Sequence, residues 1–281
     1  ERMVVPLGRA VGIKMFSDGV LVVGLSEITG EAGSCAPAKD CGLRQGDIIT
    51  HINDTQVDTI EQVQSVLQGL EGDRMSIRAI RGDKQMQLTA QAVKCSADGA
   101  YKLGAWIRDS MAGIGTLTFY DPETGAFGAL GHGISDPQTG KLLPAAGGTV
   151  LPAQIVAVQK GERGKPGQLQ GAATDLMPIG EIAKNTPCGV FGTLTQTAVP
   201  ATLPVAPRGE IVTGTAKIRS TVCGTTPRDY DVTILKIYPD GAQDGRNLLL
   251  RVTDPALLTA TGGIVQGMSG SPILQNGKLI G

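Results

Sequence analysis

With 281 residues the chain has material for about two domains of ordinary size. Hydrophobic residues make up 41% and charged residues 18%, enough for a core in each half and too little charge for a disordered polyampholyte. The 25 Lys and Arg nearly cancel the 26 Asp and Glu, and no basic cluster stands out, so no nucleic-acid partner is expected. The longest apolar runs, such as Val20 to Val23, fall far short of the roughly 20 residues of a membrane-spanning helix. Glu1 in place of an initiator Met reads as a processed start, with any export signal or anchor removed. Five cysteines (Cys35, Cys41, Cys95, Cys188, Cys223) are scattered without a CxxC pair, and only two histidines accompany them. No zinc site is expected from these, nor any other metal or cofactor. Cys35 and Cys41 could bridge, but the set reads as small core residues or free thiols.

Residues 1–95 read as one small module. Gly12 to Phe16 and Gly19 to Leu25 are β-rich runs separated by Ser17-Asp18. Gly46-Asp47-Ile48-Ile49-Thr50-His51-Ile52-Asn53-Asp54 reads as a strand ending in a turn. Ile60, Val63, Leu67 and Leu70 share one helical face, and Thr59 with Gln62 fits a capping box at its start. The alternation of Met75, Ile77 and Ala79, then of Met86, Leu88 and Ala90, predicts a hairpin turning at Arg81-Gly82-Asp83-Lys84. The boundary is placed in the polar stretch Lys94 to Gly99, giving a second domain over residues 96–281. There, short apolar runs such as Gly115 to Tyr120, Val150 to Val158, Ile211 to Ile218 and Leu248 to Val252 alternate with turn clusters. That texture predicts an all-β barrel or sandwich.

Chemistry based on an imidazole must use His51 or His132. His51 sits in a strand with no nucleophile in a special turn nearby, and reads as an ordinary strand residue. His132 lies in Ala129-Leu130-Gly131-His132-Gly133-Ile134, where flanking glycines permit a sharp bend. The strongest local signal is Gly267-Met268-Ser269-Gly270-Ser271-Pro272. A nucleophilic serine needs a hydroxyl on a tight turn and N–H groups aimed at the attacked carbonyl oxygen; the N–H groups of Gly267 and Ser269 can supply the latter. These six residues resemble the nucleophile turn of chymotrypsin-like serine peptidases. A third, carboxylate member could be Asp136, Asp175, Asp229, Asp231, Asp240, Asp244 or Asp254. Asp254 ends an apolar run, yet Asp-Pro also starts ordinary turns, and spacing does not choose among them.

The segment 103–122, beginning Leu103-Gly104-Ala105-Trp106-Ile107-Arg108-Asp109-Ser110, leads into Gly128-Ala129-Leu130-Gly131-His132. With Gln266 to Ile273, it resembles the stage IV sporulation protein B family of serine peptidases. The resemblance covers nearly the whole chain. It implies an N-terminal PDZ domain (1–95) followed by a trypsin/chymotrypsin-like double β-barrel (96–281), a mainly β fold. It also implies His132 as general base, Asp254 as orienting acid and Ser269 as nucleophile, with no cofactor. Ala10-Val11-Gly12-Ile13 resembles the PDZ carboxylate-binding loop, so Val11, Gly12, Ile13 and Lys14 are the expected contacts for a peptide end or for an internal segment. The family's pathway implies export from the forespore to the space between its inner and outer membranes. It further implies self-processing and cleavage of a membrane-associated regulator that leads to activation of a late sigma factor. The alternative is a peptide-binding scaffold with a silent peptidase-like domain. The family continues beyond the nucleophile turn, whereas Gly281 lies twelve residues after Ser269, so an exposed barrel edge and a loosened site are expected.

Overall fold

The computed structural model describes residues 2–195, 201–241 and 245–281. Its first principal elements are β1 (Met3–Leu25), β2 (Ile48–Ile52), α1 (Ile60–Gln68), β3 (Arg74–Arg81) and β4 (Lys84–Gln91). Then come β5 (Ala105–Tyr120), β6 (Ala126–Ala129), β7 (Ala145–Gln159), β8 (Gln168–Ala173), β9 (Gly180–Thr186) and β10 (Gly189–Leu194). The last are β11 (Gly214–Ser220), β12 (Arg228–Ile237), β13 (Leu248–Val252), α2 (Pro255–Thr261), β14 (Ile273–Gln275) and β15 (Lys278–Leu279). Strand dominates, and the fold is mainly β.

Two compact units divide the chain, and the division does not fall at residue 95. One holds Met15–Met111 with Ser135–Ala146; the other holds the residues up to Lys14, Ala112–Ile134 and Gly147–Gly281. The two β-rich runs expected on either side of Ser17-Asp18 belong to one strand, β1.

In the Met15–Met111 unit the sheet order is β5-β1-β2-β3-β4. Registers such as Val20↔Ile49 and Met75↔Ala90 put alternate apolar side chains on one face. Val20, Val22, Ile49, Ile52, Met75 and Ile77 form its core, and Val63 of α1 closes it. Full burial of an aliphatic side chain of this size is worth roughly 1.5–3 kcal/mol. The expected capping box is present: Gln62 N–H donates to Thr59 Oγ1 and Thr59 N–H donates to Gln62 Oε1. The hairpin turns as expected, with Arg81 opposite Lys84. Asp47, fully buried, is held by Arg81 at 2.7 Å and by the Arg44 N–H at 2.8 Å, which explains the Gly46-Asp47 pair in structural terms.

The other unit is built from two antiparallel sheets. One runs β8-β7-β9-β10-β6-β5 and the second β13-β12-β11-β14-β15. Ile155, Leu169, Ile218, Tyr230, Val232, Leu257 and Met268 share a core, and Ala10 packs among them. That packing is why the strand before Met15 goes with this unit and not with the module to which its sequence position assigned it. All five cysteines are free, Cys35 and Cys41 included; burial pushes the Cys41 thiol up from its ordinary value.

Candidate active site

The nucleophile turn follows α2 and precedes β14. Met268, 3% exposed, anchors it in the core, and its N–H donates to Val265 O at 3.2 Å. Ser271 N–H and Ser271 Oγ both donate to Met268 O, at 3.0 and 2.7 Å, closing the turn around Ser269. Thr116 Oγ1 of β5 donates to Gly267 O at 2.8 Å, tying the turn's other side. Within this frame the Ser269 hydroxyl makes no hydrogen bond to any described group. Nor do the N–H groups of Gly267, Ser269 and Gly270. Donors left open at a fixed position beside a free hydroxyl are what stabilising a developing oxyanion requires.

The His132 segment meets this turn through its backbone. Leu130 N–H donates to Thr116 O at 3.2 Å, and Gly131 N–H donates to Ala129 O at 2.9 Å, which turns the chain sharply at Leu130 with φ +69°. Gly270, at φ +90°, lies against that bend. A Cβ there would collide with the Leu130 amide nitrogen and stand 2.6 Å from Thr116 O. Only glycine allows both the left-handed conformation and this approach. The turn carrying Ser269 and the bend leading to His132 are therefore brought together. No hydrogen bond joins His132 to Ser269; the exposed imidazole's Nδ1 lies 2.9 Å from Gly133 O.

Asp254 is not brought to His132 by any hydrogen bond. It is the N-cap of α2: Oδ1 accepts from Ala256 N–H at 2.8 Å and Leu257 N–H at 3.2 Å, and Oδ2 accepts from Asp231 N–H at 3.2 Å. These N–H donors, that of Asp231 first, hold its carboxyl below the ordinary range. Four of the other carboxylates considered are engaged elsewhere. Asp136 is buried against Arg108 at 3.0 Å, Asp229 pairs with Arg219 and Asp231 with Lys217. Asp175 accepts from Met177 N–H, and Asp240 stands exposed at a turn. Asp244 lies outside the described residues.

Val11, Gly12, Ile13 and Lys14 were the contacts expected for a peptide end. They lie inside β1, with Val11 and Ile13 buried and Gly12 against Leu151. The same apolar-Gly-apolar pattern recurs at Leu103-Gly104-Ala105, a match that sequence reasoning passed over. Gly104 has φ +77°, and the N–H groups of Leu103 and Gly104 donate to no described group. The adjoining start of β5 faces α1 across a cavity of about 710 Å³ lined by Ile60, Val63, Leu67, Ala105 and Trp106. The Asp109 carboxylate, further along β5, accepts from the Ile60 N–H at 3.0 Å. Sequence reasoning also missed Thr116 and Asn185, each acting on backbone distant in the chain.

The family model for SpoIVB peptidase S55 matches residues 99–281, and that for a PDZ domain matches residues 34–81. The chain belongs to the SpoIVB peptidase S55 family. Membership makes this S55 chain a serine peptidase, and the PDZ match gives it a protein- or peptide-binding unit. Among solved structures, the PDZ domain of the SdrC-like protein from Listeria monocytogenes is similar at 24% identity. The match covers 32% of this chain and 87% of that one, with a TM-score of 0.26. Comparison with curated proteins finds no match.

Proposed function

We propose that the chain is a serine endopeptidase in which Ser269 is the nucleophile and His132 the general base. The N–H groups of Gly267 and Ser269 receive the oxyanion. Ser269 Oγ attacks the scissile carbonyl as His132 Nε2 removes its proton. The imidazolium then protonates the leaving amine, and water releases the acyl-enzyme by the same route. The observation that carries this reading is the unengaged Ser269 hydroxyl beside unengaged N–H groups, on a turn seated against the bend before His132. The absence of a Ser269–His132 hydrogen bond fits a resting state, since such contacts often tighten only with substrate bound. In this conformation Asp254 caps α2, and the resemblance that names it as orienting acid is tested by substituting it.

Family membership supports a biological setting of the same kind. The enzyme acts in sporulation, exported to the space between the forespore membranes, where it processes itself and cleaves a membrane-associated regulator upstream of a late sigma factor. Its PDZ unit takes a peptide end at Leu103-Gly104-Ala105, added as a strand to β5 against α1. A second reading that the missing Ser269–His132 contact also fits is a peptide-binding scaffold with a silent peptidase unit. One experiment separates the two. The chain and its Ser269→Ala variant are incubated with a fluorophosphonate probe and with a peptide mixture, and new N-termini are mapped by mass spectrometry. The peptidase reading expects labelling and cleavage that vanish with Ser269→Ala while circular dichroism is unchanged. Labelling that survives the substitution, or none in either protein, refutes it.

A further inference from the structure

One strand edge is left open beside the nucleophile turn. β8 is the last strand of its sheet and pairs on one side only, with β7. The start of its other edge is taken by the chain itself. Leu169 N–H donates to Gln266 O at 2.8 Å, and Gln266 N–H donates to Gly167 O at 2.9 Å. Gly267 then leaves the edge for the Ser269 turn, so close to the strand that a Cβ on it would stand 3.0 Å from that of Leu169. From Gly171 onward the edge is bare.

The alternation of the backbone fixes which groups are exposed there. In an antiparallel pair every second residue turns its N–H and C=O to the partner, and the residues between turn theirs away. Leu169 turns outward to Gln266, whereas Thr174, just past the strand's end, donates its N–H inward to Pro152 O at 2.9 Å. Gly171 and Ala173 therefore face outward. Opposite Gly171 stands Ile155, whose N–H and C=O are both engaged by Gly224, at 2.8 and 2.9 Å, and so cannot serve it. The register shift in this pair falls between Ile155 and Ala157 of β7 and leaves the alternation of β8 intact. The N–H and C=O groups of Gly171 and Ala173 thus bond to no described group. Natural sheets guard such an edge with charged residues or proline. Gln170-Gly171-Ala172-Ala173 carries neither, and its glycine and alanines let another backbone approach closely. A second contact ties this edge to the serine turn. A Cβ on Gly171 would touch Ile114 of β5, and Thr116, two residues on and on the same face, holds Gly267 through its hydroxyl. Two residues of strand span about 7 Å, so a chain laid on Gly171 reaches the turn within a few residues.

We propose that β8 is the strand on which a protein substrate is laid out for cleavage. An extended segment pairs its backbone with Gly171 and Ala173 and presents a neighbouring peptide bond to Ser269. The substrate class is then a flexible or unfolded stretch of polypeptide, recognised through main-chain hydrogen bonds and tolerant of sequence. Its cleavage rests on the peptidase reading; the docking edge does not. The test is amide-resolved hydrogen exchange by NMR on the Ser269→Ala chain. The probe is a pool of short random peptides, acetylated and amidated so that no free carboxylate is offered to Leu103-Gly104-Ala105. In the free chain the Gly171 and Ala173 amides should exchange at least about tenfold faster, relative to their intrinsic rates, than that of Ala172 in the β7 ladder. The pool in excess should slow both by about tenfold, as a mostly occupied edge requires. The same pool methylated on its backbone nitrogens cannot pair and should protect neither. Ala173→Pro deletes one outward N–H, a change tolerated where a strand edge faces solvent. In the chain that keeps Ser269 it should slow cleavage of the pool about three- to tenfold, the worth of one hydrogen bond, with circular dichroism unchanged. Gly171 and Ala173 amides already protected in the free chain, or left unprotected by the pool, overturn the proposal. If the pool protects them but the chain with Ser269 neither cleaves it nor is labelled, the docking edge stands and the peptidase reading falls. Cleavage without protection does the reverse.

Discussion

Gly270→Ala is the sharpest probe of how the nucleophile turn is seated. Two costs add. A non-glycine residue at φ +90° is forced into a left-handed conformation, which costs roughly 1–2 kcal/mol. The new methyl group also overlaps two backbone atoms, Leu130 N and Thr116 O, and neither can swing aside as a side-chain end would. Overpacking of this kind costs about 1–3 kcal/mol, so the total is roughly 2–5 kcal/mol. Gly131→Ala supplies the control. That glycine has φ +71°, but a Cβ there meets nothing within 4 Å, so only the conformational cost of roughly 1–2 kcal/mol applies. Urea unfolding followed by far-UV circular dichroism should rank Gly270→Ala below Gly131→Ala by about 1–3 kcal/mol. Tryptophan fluorescence is unsuitable, because the single tryptophan, Trp106, lies in the Met15–Met111 unit. The folded Gly270→Ala protein can relieve the overlap only by moving the Ser269 turn from the Leu130 bend. A shift near 1 Å should slow fluorophosphonate labelling about a hundredfold. Equal stabilities for the two variants, with labelling of Gly270→Ala unchanged, would show that the turn and the bend are not packed as described.

Asp254→Asn separates capping from proton relay. Asparagine caps helices as well as aspartate does, so fold and labelling should persist; a loss near 10⁴-fold, the scale of Asp→Asn in serine-protease triads, would return Asp254 to the imidazole. The depressed Asp254 carboxyl also predicts a pH dependence. Because its folded value lies below its unfolded one, its contribution is complete above the ordinary carboxylate value of about 3.9 and is lost as pH falls through the depressed value. The stability difference between wild type and Asp254→Asn should be flat above that value and change below it; acid titrations that stay parallel throughout would contradict this. Peptides with a free C-terminus should shift the emission of Trp106, whereas amidated versions should bind at least about tenfold more weakly, the loss expected when a charged hydrogen-bonding group is removed. Arg81→Met leaves Asp47 buried without its partner and should destabilise the Met15–Met111 unit by about 3–5 kcal/mol, read from the fluorescence of Trp106 during unfolding.

What could be read in the sequence was mostly local. The capping box at Thr59 and Gln62, the hairpin at Arg81 and Lys84 and the serine turn each need only a few neighbouring residues, and each signal is written within them. The site's supports were not legible for the opposite reason. Asn185 holds Ile134 from 51 positions away, and Thr116 holds Gly267 from 151, through backbone groups that have no sequence signature. The cap at Asp254 was legible and was passed over: Asp before Pro is an N-cap followed by a favoured first helical residue. Val11-Gly12-Ile13 and Leu103-Gly104-Ala105 carry one pattern, and only tertiary placement tells them apart. The first is buried within a strand, while the second opens a strand facing a helix across a cavity.

The serine turn also answers the plainest objection to a functional reading, that glycine-serine turns are common. An ordinary turn engages its own donors, because folded chains pair most of their backbone N–H groups. Here Met268 and Ser271 obey that rule and fix the turn at two points. Gly267, Ser269 and Gly270 do not, although all three are partly buried. The tethers from Thr116 and the pressure of the Leu130 bend keep the turn from closing on these donors. A turn held rigid by its neighbours while its inner N–H groups stay open gains little as a structural corner. It gains most when an oxygen with growing negative charge arrives, since donors already in place need no reorganisation.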